Sequence, residues 1–498
     1  MGIIQKQAIR GSLYNYLGIG VGFINAIILA PHILTSEQIG LMNILVTYSL
    51  PFVQFGTLGF IAVINRLFPY FRDAKTRHHG FISLAFTVTM AGFILSLIVY
   101  FALRPGFIRD NIEQSPLFVN YIDYLIPLIF FTLLFTLLDA YNRVLYDAVL
   151  GTFLKEFLFK ILYLIILLVF SFKLITFPQF VFAFILTQCV PALIISVVLL
   201  IRRQISFRFD RGYISRRMIR IMANLSLFSV LTGLSGIAIS TIDKIMINSM
   251  INLSATGIYS VSFYFSVLLI VPVRSVRNIS TPVLAELMKK KNFNEIRKVY
   301  YKSSINQIVI GSLLFIGIWA NIDNVFRILP QEYEAGKYVI LFMMIAKLFE
   351  LAVGVGPTII GISRYYRVQT YMMTGLIFIV IITNLILIPR YGITGAAIAS
   401  AISALVINFL RFVYVYWKFK IQPFHYKTLI LIVISVISYL AGFIVPELSH
   451  LVIDIVVRSV VIALVFGVLV LVFRISDEVE SELKAILKRL NINFLQKK

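Results

Sequence analysis

Charge is what this sequence has least of. Only 13% of its 498 residues are Asp, Glu, Lys or Arg, and no long polar stretch separates its apolar runs. An ordinary soluble domain carries roughly twice that share, about 25%, so a soluble globular fold is excluded. There is one cysteine, Cys189, inside an apolar segment; it excludes an intramolecular disulfide and a Cys-based metal site. The five histidines are scattered, and the one adjacent pair, His78-His79, falls in a polar loop without metal-ligand spacing. It reads as a solvated loop, and no metal or other cofactor is expected. The glycine-rich phosphate loop ending in Lys-Ser/Thr is missing, which excludes a built-in ATPase of that type.

What is present is apolar sequence. Hydrophobic residues make up 60% of the chain and mean hydropathy is +0.93. Stretches of 18 or more apolar residues recur along its length, each a candidate membrane-spanning helix. Fourteen are expected, centred near residues 23, 53, 92, 130, 164, 189, 236, 265, 314, 350, 380, 404, 437 and 463. The first run, Gly11 to Leu34, is too long for a signal-peptide core and has no small-residue cleavage site, so it is expected to stay as an anchor. The fold class is therefore an all-α polytopic membrane protein.

The net charge of +23 would suggest a nucleic-acid partner in a soluble protein. Its distribution says otherwise. With the N-terminus inside, 35 of the 45 Lys and Arg fall in inner segments and six in outer ones. That asymmetry is the positive-inside pattern; it puts both termini in the cytoplasm and argues against nucleic acid. Outer loops reach at most about 20 residues, too short for the loaded external loop of a membrane glycosyltransferase, polymerase or ligase. No enzymatic activity is expected. The terminal "ISDEVESELKAILKRLNINFLQKK" has apolar residues at helical spacing and charges opposite; an amphipathic helix on the inner membrane surface is expected there.

The basic loop Arg202 to Arg220 divides six spans from the next six. "LTSEQIGLMN" after span 1 resembles "INLSATGIYS" after span 7, with Gly257 standing 217 residues beyond Gly40. Both six-span sets start inside, so an axis along the membrane normal would relate them. The expected organisation is an N-terminal lobe 1–210, a C-terminal lobe 211–425, two further spans in 426–474 and a cytoplasmic tail 475–498.

Ionisable residues within the spans are costly and point to function. In "SGIAISTIDKIMINSM", Asp243 lies on a small-polar face with Ser229, Gly233, Gly236 and Ser240. Nine residues before the outer turn place it roughly 13 Å below the outer edge. Lys244 lies about 100° round the helix. Span 1 has a comparable face, Asn15, Gly18, Gly22 and Asn25. Lys347 and Glu350 share a face of span 10, as an ion pair or as cavity lining, and Gly354, Gly356 and Pro357 then loosen that helix. Asp243, Lys244, Lys347, Glu350 and Asn25 are the candidate substrate cavity. Arg66, Arg274 and Arg277, near inner helix ends, either snorkel or form a mouth for an anionic headgroup. Asp139, spaced by four from Arg143 and Asp147, is a candidate gating or coupling group alongside Asp243 and Glu350. Glu156–Lys160 and Asp454–Arg458 read as local pairs.

Fourteen spans in two sixes, the basic middle loop, and the stretches "GSLYNYLGIGVGFINAIILAPHILTSEQIGLMNIL", "IDKIMINSMINLSATGIYSVS" and "YGITGAAIAS" resemble the polysaccharide transporter family. That family belongs to the superfamily that also holds multidrug extruders and the lipid II flippase. The resemblance implies two lobes around a central cavity that opens alternately to either side. It implies a flippase for undecaprenyl-diphosphate-linked oligosaccharide in the bacterial cytoplasmic membrane. Expected partners are that lipid-linked substrate, membrane lipids and the polysaccharide polymerase machinery. Cation-coupled drug extrusion is the main alternative, with lipid II transport a third. Many extruders place an acid in the first span, and Gly11 to Leu34 contains none.

Overall fold

The computed structural model describes residues 3–73, 76–205, 213 and 215–476. The expected amphipathic tail helix lies outside the described residues, apart from its first two. The chain divides into two compact units, Met1–Val261 and Ser262–Lys498.

The first unit begins with α1 (Ile3–Phe23), which continues through a π-helical stretch, Ile24–Leu29, to Ile33. The next helix, α2 (Ser36–Gly56), starts where Thr35 and Gln38 exchange hydrogen bonds at its N-terminus: the Gln38 amide donates to the Thr35 hydroxyl and the Thr35 amide to the Gln38 side-chain oxygen. This satisfies two backbone donors that would otherwise be orphaned. After left-handed Leu58 and Gly59 come α3 (Phe60–Phe71), α4 (Phe81–Asn111), α5 (Leu125–Val144), α6 (Phe159–Ser171) and α7 (Phe177–Ile201). Ser215 caps α8 (Arg216–Met250). A long helix, α9 (Leu253–Lys289), crosses the division between the units. The second unit continues with α10 (Phe293–Ala320), α11 (Lys337–Ala352), α12 (Tyr366–Phe419), α13 (Tyr426–Ile444) and α14 (Leu451–Val472).

The described residues form no strand, as the apolar periodicity predicts. Among the described residues, eleven helices are long and apolar enough to cross a membrane, or twelve when the bent pair Gln331–Val353 and Gly356–Ile362 counts as one span. Fourteen were expected, and the difference has local causes. The fifth expected span is interrupted by a π-helical turn, Phe153–Leu158, which leaves α6 with 13 residues. The eleventh and twelfth lie in one 54-residue run, broken at Gly392 (φ 58°, ψ −138°) just after Pro389. A straight helix of that length would extend about 80 Å, far beyond a ~30 Å hydrocarbon layer. The bent pair turns by 54° at the glycines expected to loosen it, with Gly354 at φ 52°.

Large apolar side chains such as Ile94, Ile98, Phe378 and Leu464 are exposed. A water-soluble surface would not carry them in such number. The protein is a multi-pass membrane protein. Inside the first unit, α3, α4, α5, α7 and α8 share a core at one end of the bundle. Phe68 meets Tyr141 edge-on at 5.5 Å and Phe71 meets Phe81 at 4.7 Å, geometries that favour aromatic pairs beyond their buried area.

At the other end the starts of α2 and α9 meet. A Cβ on Gly40 would lie 2.0 Å from the Leu253 carbonyl oxygen, and one on Gly257 would lie 1.9 Å from that of Ser36. The contact is reciprocal: Gly257 and Leu253 stand at the same 217-residue offset from Gly40 and Ser36. The caps keep that register too, because Asn252 accepts from the Ala255 amide at 2.7 Å as Thr35 accepts from Gln38. The Ser36 and Ser254 hydroxyls are 2.6 Å apart across the junction. Only glycine allows so close an approach. Gly40→Val is expected to cost about 1–3 kcal/mol by overpacking and to lower the thermal unfolding midpoint in detergent. Gly20→Ala, at a position with nothing within 4 Å, should leave the midpoint unchanged; equal midpoints for both variants would refute the close-contact role.

Candidate functional site

The small-residue face of α1 packs as its spacing predicts. Gly18 lies against the backbone of Glu156 and Gly22 against the Lys160 side chain. Asn25, 2% exposed, donates to the Lys160 carbonyl at 2.7 Å. Asn25 thus sits in a helix–helix seam. The α8 face is less uniform. Gly233 lies against Gln54 and Asp243 is buried, while Gly236 has open space beside it and Ser240 is exposed.

Asp243 is 7% exposed and accepts a hydrogen bond at 3.0 Å from the Tyr259 hydroxyl on α9. Lys244 is partly buried beside it. Near the end of the same helix is a polar group that the sequence reading missed. Asn248 donates to Asn111 at 2.6 Å and accepts from Ser115 at 2.9 Å. All three residues are fully buried, each no more than 1% exposed, so each must find its partner within the protein. An Asn near the end of an apolar helix, one turn beyond Lys244, was the available signal.

In the second unit, Lys347 and Glu350 pair at 3.4 Å within α11, as their spacing predicts. The pair is not isolated. Arg277 on α9 reaches Glu350 at 3.6 Å, and Arg411 on α12 lies within electrostatic range of both Glu350 and Arg277. Arg411 approaches the Asn408 side-chain oxygen and the Met373 sulfur, and its Nε is buried without a partner. Three cations therefore surround one carboxylate on three membrane helices. A surplus of two positive charges at such a site is costly unless an anion or water offsets it. Arg411 escaped the sequence reading because it was assigned to an inner loop; Asn408 and Arg411, three apart at the end of an apolar run, marked it.

The remaining residues are more local. Asp139 pairs with Arg143 at 2.9 Å, with one carboxylate oxygen buried and unpaired. Asp147 pairs with Arg202 at 2.6 Å and Glu156 with Lys160 at 3.3 Å. Asp454 holds Arg458 at 3.4 Å and also bonds to Asn324. Arg66 is exposed on α3, and the Arg274 side chain lies outside the described residues. Asp243 and Lys244 belong to the first compact unit, and Lys347, Glu350, Arg277 and Arg411 to the second.

No family model matches the chain. A capsular polysaccharide biosynthesis protein, CapF of Staphylococcus aureus, is 27% identical over 173 residues, 33% of this chain and 42% of the relative. A probable low-salt glycan biosynthesis flippase, Agl15 of Haloferax volcanii, is 23% identical over 186 residues, 37% of this chain and 39% of the relative. The matched part thus spans about two fifths of each relative's length. Among solved structures, the lipid II flippase MurJ in an inward closed conformation superposes with a TM-score of 0.75 at 13% identity, over 93% of this chain and 98% of that one. An inward-facing multidrug resistance MATE transporter of the MOP superfamily gives 0.62 at 14% identity, over 82% and 94%.

If Glu350 neutralises its three neighbours, Glu350→Gln should destabilise the protein by about 1–3 kcal/mol through unpaired charge. Adding Lys347→Gln should recover part of the loss, with a coupling of about 0.5–3 kcal/mol. Unfolding midpoints of the two single variants and the double variant give that coupling, and strict additivity would show that the residues act independently. The resemblance read from the sequence and the structural neighbours agree: the chain has the fold of the MOP-superfamily transporters, with sequence relatives in polysaccharide and glycan biosynthesis.

Proposed function

We propose that the protein is a flippase that moves undecaprenyl-diphosphate-linked oligosaccharide across the bacterial cytoplasmic membrane by alternating access. The observation that carries the reading is the cation surplus formed by Arg277, Lys347 and Arg411 around Glu350. A diphosphate is the kind of group that such a surplus favours, because guanidinium forks bind phosphate oxygens in pairs. The relatives named for capsular polysaccharide and glycan biosynthesis support it; the fold by itself would fit several cargoes.

In this reading both termini are cytoplasmic. Lys244 adds a further cation for the cargo, and Arg66, Arg274 and Arg277 lie toward the inner side where the headgroup enters. Asp243, Glu350 and Asp139 are the carboxylates on which coupling to H⁺ or Na⁺ would act. The two six-span lobes supply the alternation, and a polymerase consumes the delivered unit. Extrusion of a cationic drug is disfavoured by the same surplus, which would repel the cargo.

Deleting the gene is expected to abolish surface polysaccharide and to accumulate lipid-linked units on the inner leaflet, measured by lipid extraction and surface staining. Unchanged polysaccharide would refute the reading, and loss of lipid II transport instead would transfer it to that cargo. Arg411→Ala and Lys347→Ala, compared at equal membrane levels, should each lower export about 10- to 100-fold, the loss of a charge-assisted bond of about 1.5–3 kcal/mol. Export that falls only in proportion to protein level would make both residues structural.

A further inference from the structure

A second concentration of positive charge lies in the first unit. The C-terminal ends of α3, α5 and α7 surround a cavity of about 370 Å³. Its wall carries Arg72, Arg77, Arg202 and Arg203, with one carboxylate, Asp147. Two of the four arginines are held in place. Arg202 pairs with Asp147 at 2.6 Å. Arg72 donates to the Val144 carbonyl at 2.6 Å and stacks 4.2 Å over the Tyr146 ring, whose hydroxyl it also contacts. The side chains of Arg77 and Arg203 make no hydrogen bond or ion pair to other described residues. One carboxylate against four guanidinium groups leaves a surplus of three positive charges around one cavity.

The backbone here is unusual as well. Arg77, His78, Tyr146 and Arg203 all line the cavity with left-handed φ of 51° to 66°. Tyr146 and Arg203 each follow a helix end. Their amides and those of the next residues close the paired bonds Tyr146→Arg143, Asp147→Asn142, Arg203→Leu200 and Gln204→Leu199. Glycine is the usual residue at that position, and a side chain there costs about 1–2 kcal/mol. A topogenic charge needs only to lie on the inner side; it requires neither a left-handed backbone nor a cavity.

The neighbouring space suggests what kind of molecule binds. A second cavity, of about 580 Å³, shares Asp147 and Arg202 as a common wall. It is lined by Arg10 together with Tyr14, Leu150 and Phe153. A basic pocket that adjoins a cavity walled on one side by Tyr14, Val149, Leu150 and Phe153 suits an amphiphile that carries a phosphate group. The ends of apolar helices place both at the depth of lipid headgroups.

We propose that this basic pocket binds the phosphate of an anionic phospholipid from the leaflet on the N-terminal side of the protein. Arg77 and Arg203 grip the phosphate, Arg72 and Arg202 flank it, and the adjoining cavity receives the glycerol and the start of the acyl chains. The site shares no residue with the Arg277–Lys347–Arg411 cluster and does not depend on the flippase reading.

The test uses full-length protein in detergent micelles, with lipid binding followed by native mass spectrometry and by thermal shift. Phosphatidylglycerol should bind at least tenfold more tightly than phosphatidylcholine. Arg77→Gln combined with Arg203→Gln should reduce that preference about tenfold or more, since each basic group near a membrane surface contributes a several-fold effect. Neither side chain has a partner among the described residues, so unfolding midpoints without lipid should match wild type. Arg109→Gln, an exposed arginine at the opposite end of α4, should leave the preference intact. Equal binding of the two lipids, or a preference that survives the double variant, would overturn the site. Protection by inorganic pyrophosphate without any preference for anionic lipid would overturn the lipid and leave a soluble phosphate ester as ligand.

Discussion

The approach of two backbones at Gly40 and Gly257 sets the spacing for much of the first unit. Once α2 and α9 start within carbonyl contact of each other, α8, which feeds into α9, must run beside α2. Gly233 then meets Gln54, Asn248 reaches Asn111 and Ser115, and Asp243 finds the Tyr259 hydroxyl. A buried carboxylate is tolerable only when a donor of this kind is held in place. The close glycine contact therefore lies upstream of the electrostatics: it decides which groups the charged helix can face.

Charge is handled differently in different parts of the molecule. Several ionised groups along the helices are paired locally, as in Asp139–Arg143 and Glu156–Lys160. Such pairs limit the cost of placing charge near hydrocarbon and need no further function. The Arg277–Lys347–Arg411 group does not balance. A protein can keep three cations around one carboxylate in a membrane only if water or an anion supplies the rest. An anionic cargo would do so during transport, which turns an energetic liability into affinity.

The sequence disclosed features that are local along one helix. Helical spacing alone placed Gly18, Gly22 and Asn25 in one seam, buried Asp243, and paired Lys347 with Glu350. The bend after span 10 was visible in its glycines and proline. What escaped depends on residues distant in the chain. Arg411 was counted with an inner loop because nothing nearby reveals that α9 and α11 bring Arg277 and Glu350 to it. The basic pocket draws on three helix ends and a loop, whose arginines, taken one at a time, satisfy the positive-inside pattern. The span count differed because a π-helical turn shortens the fifth expected span and because the eleventh and twelfth stay joined in one helical run despite the break at Gly392.

The reciprocity of the Gly40–Gly257 contact also bears on how the two positions can change. Each glycine protects the same interface from opposite sides. If a Cβ at one position forces the turns apart, the other glycine loses the neighbour that made it indispensable. The two positions therefore form one unit of constraint, in which the first substitution carries nearly the whole burden and the second is close to silent. Selection would hold both glycines together or release both together, and such strong epistasis between residues 217 positions apart follows from geometry alone.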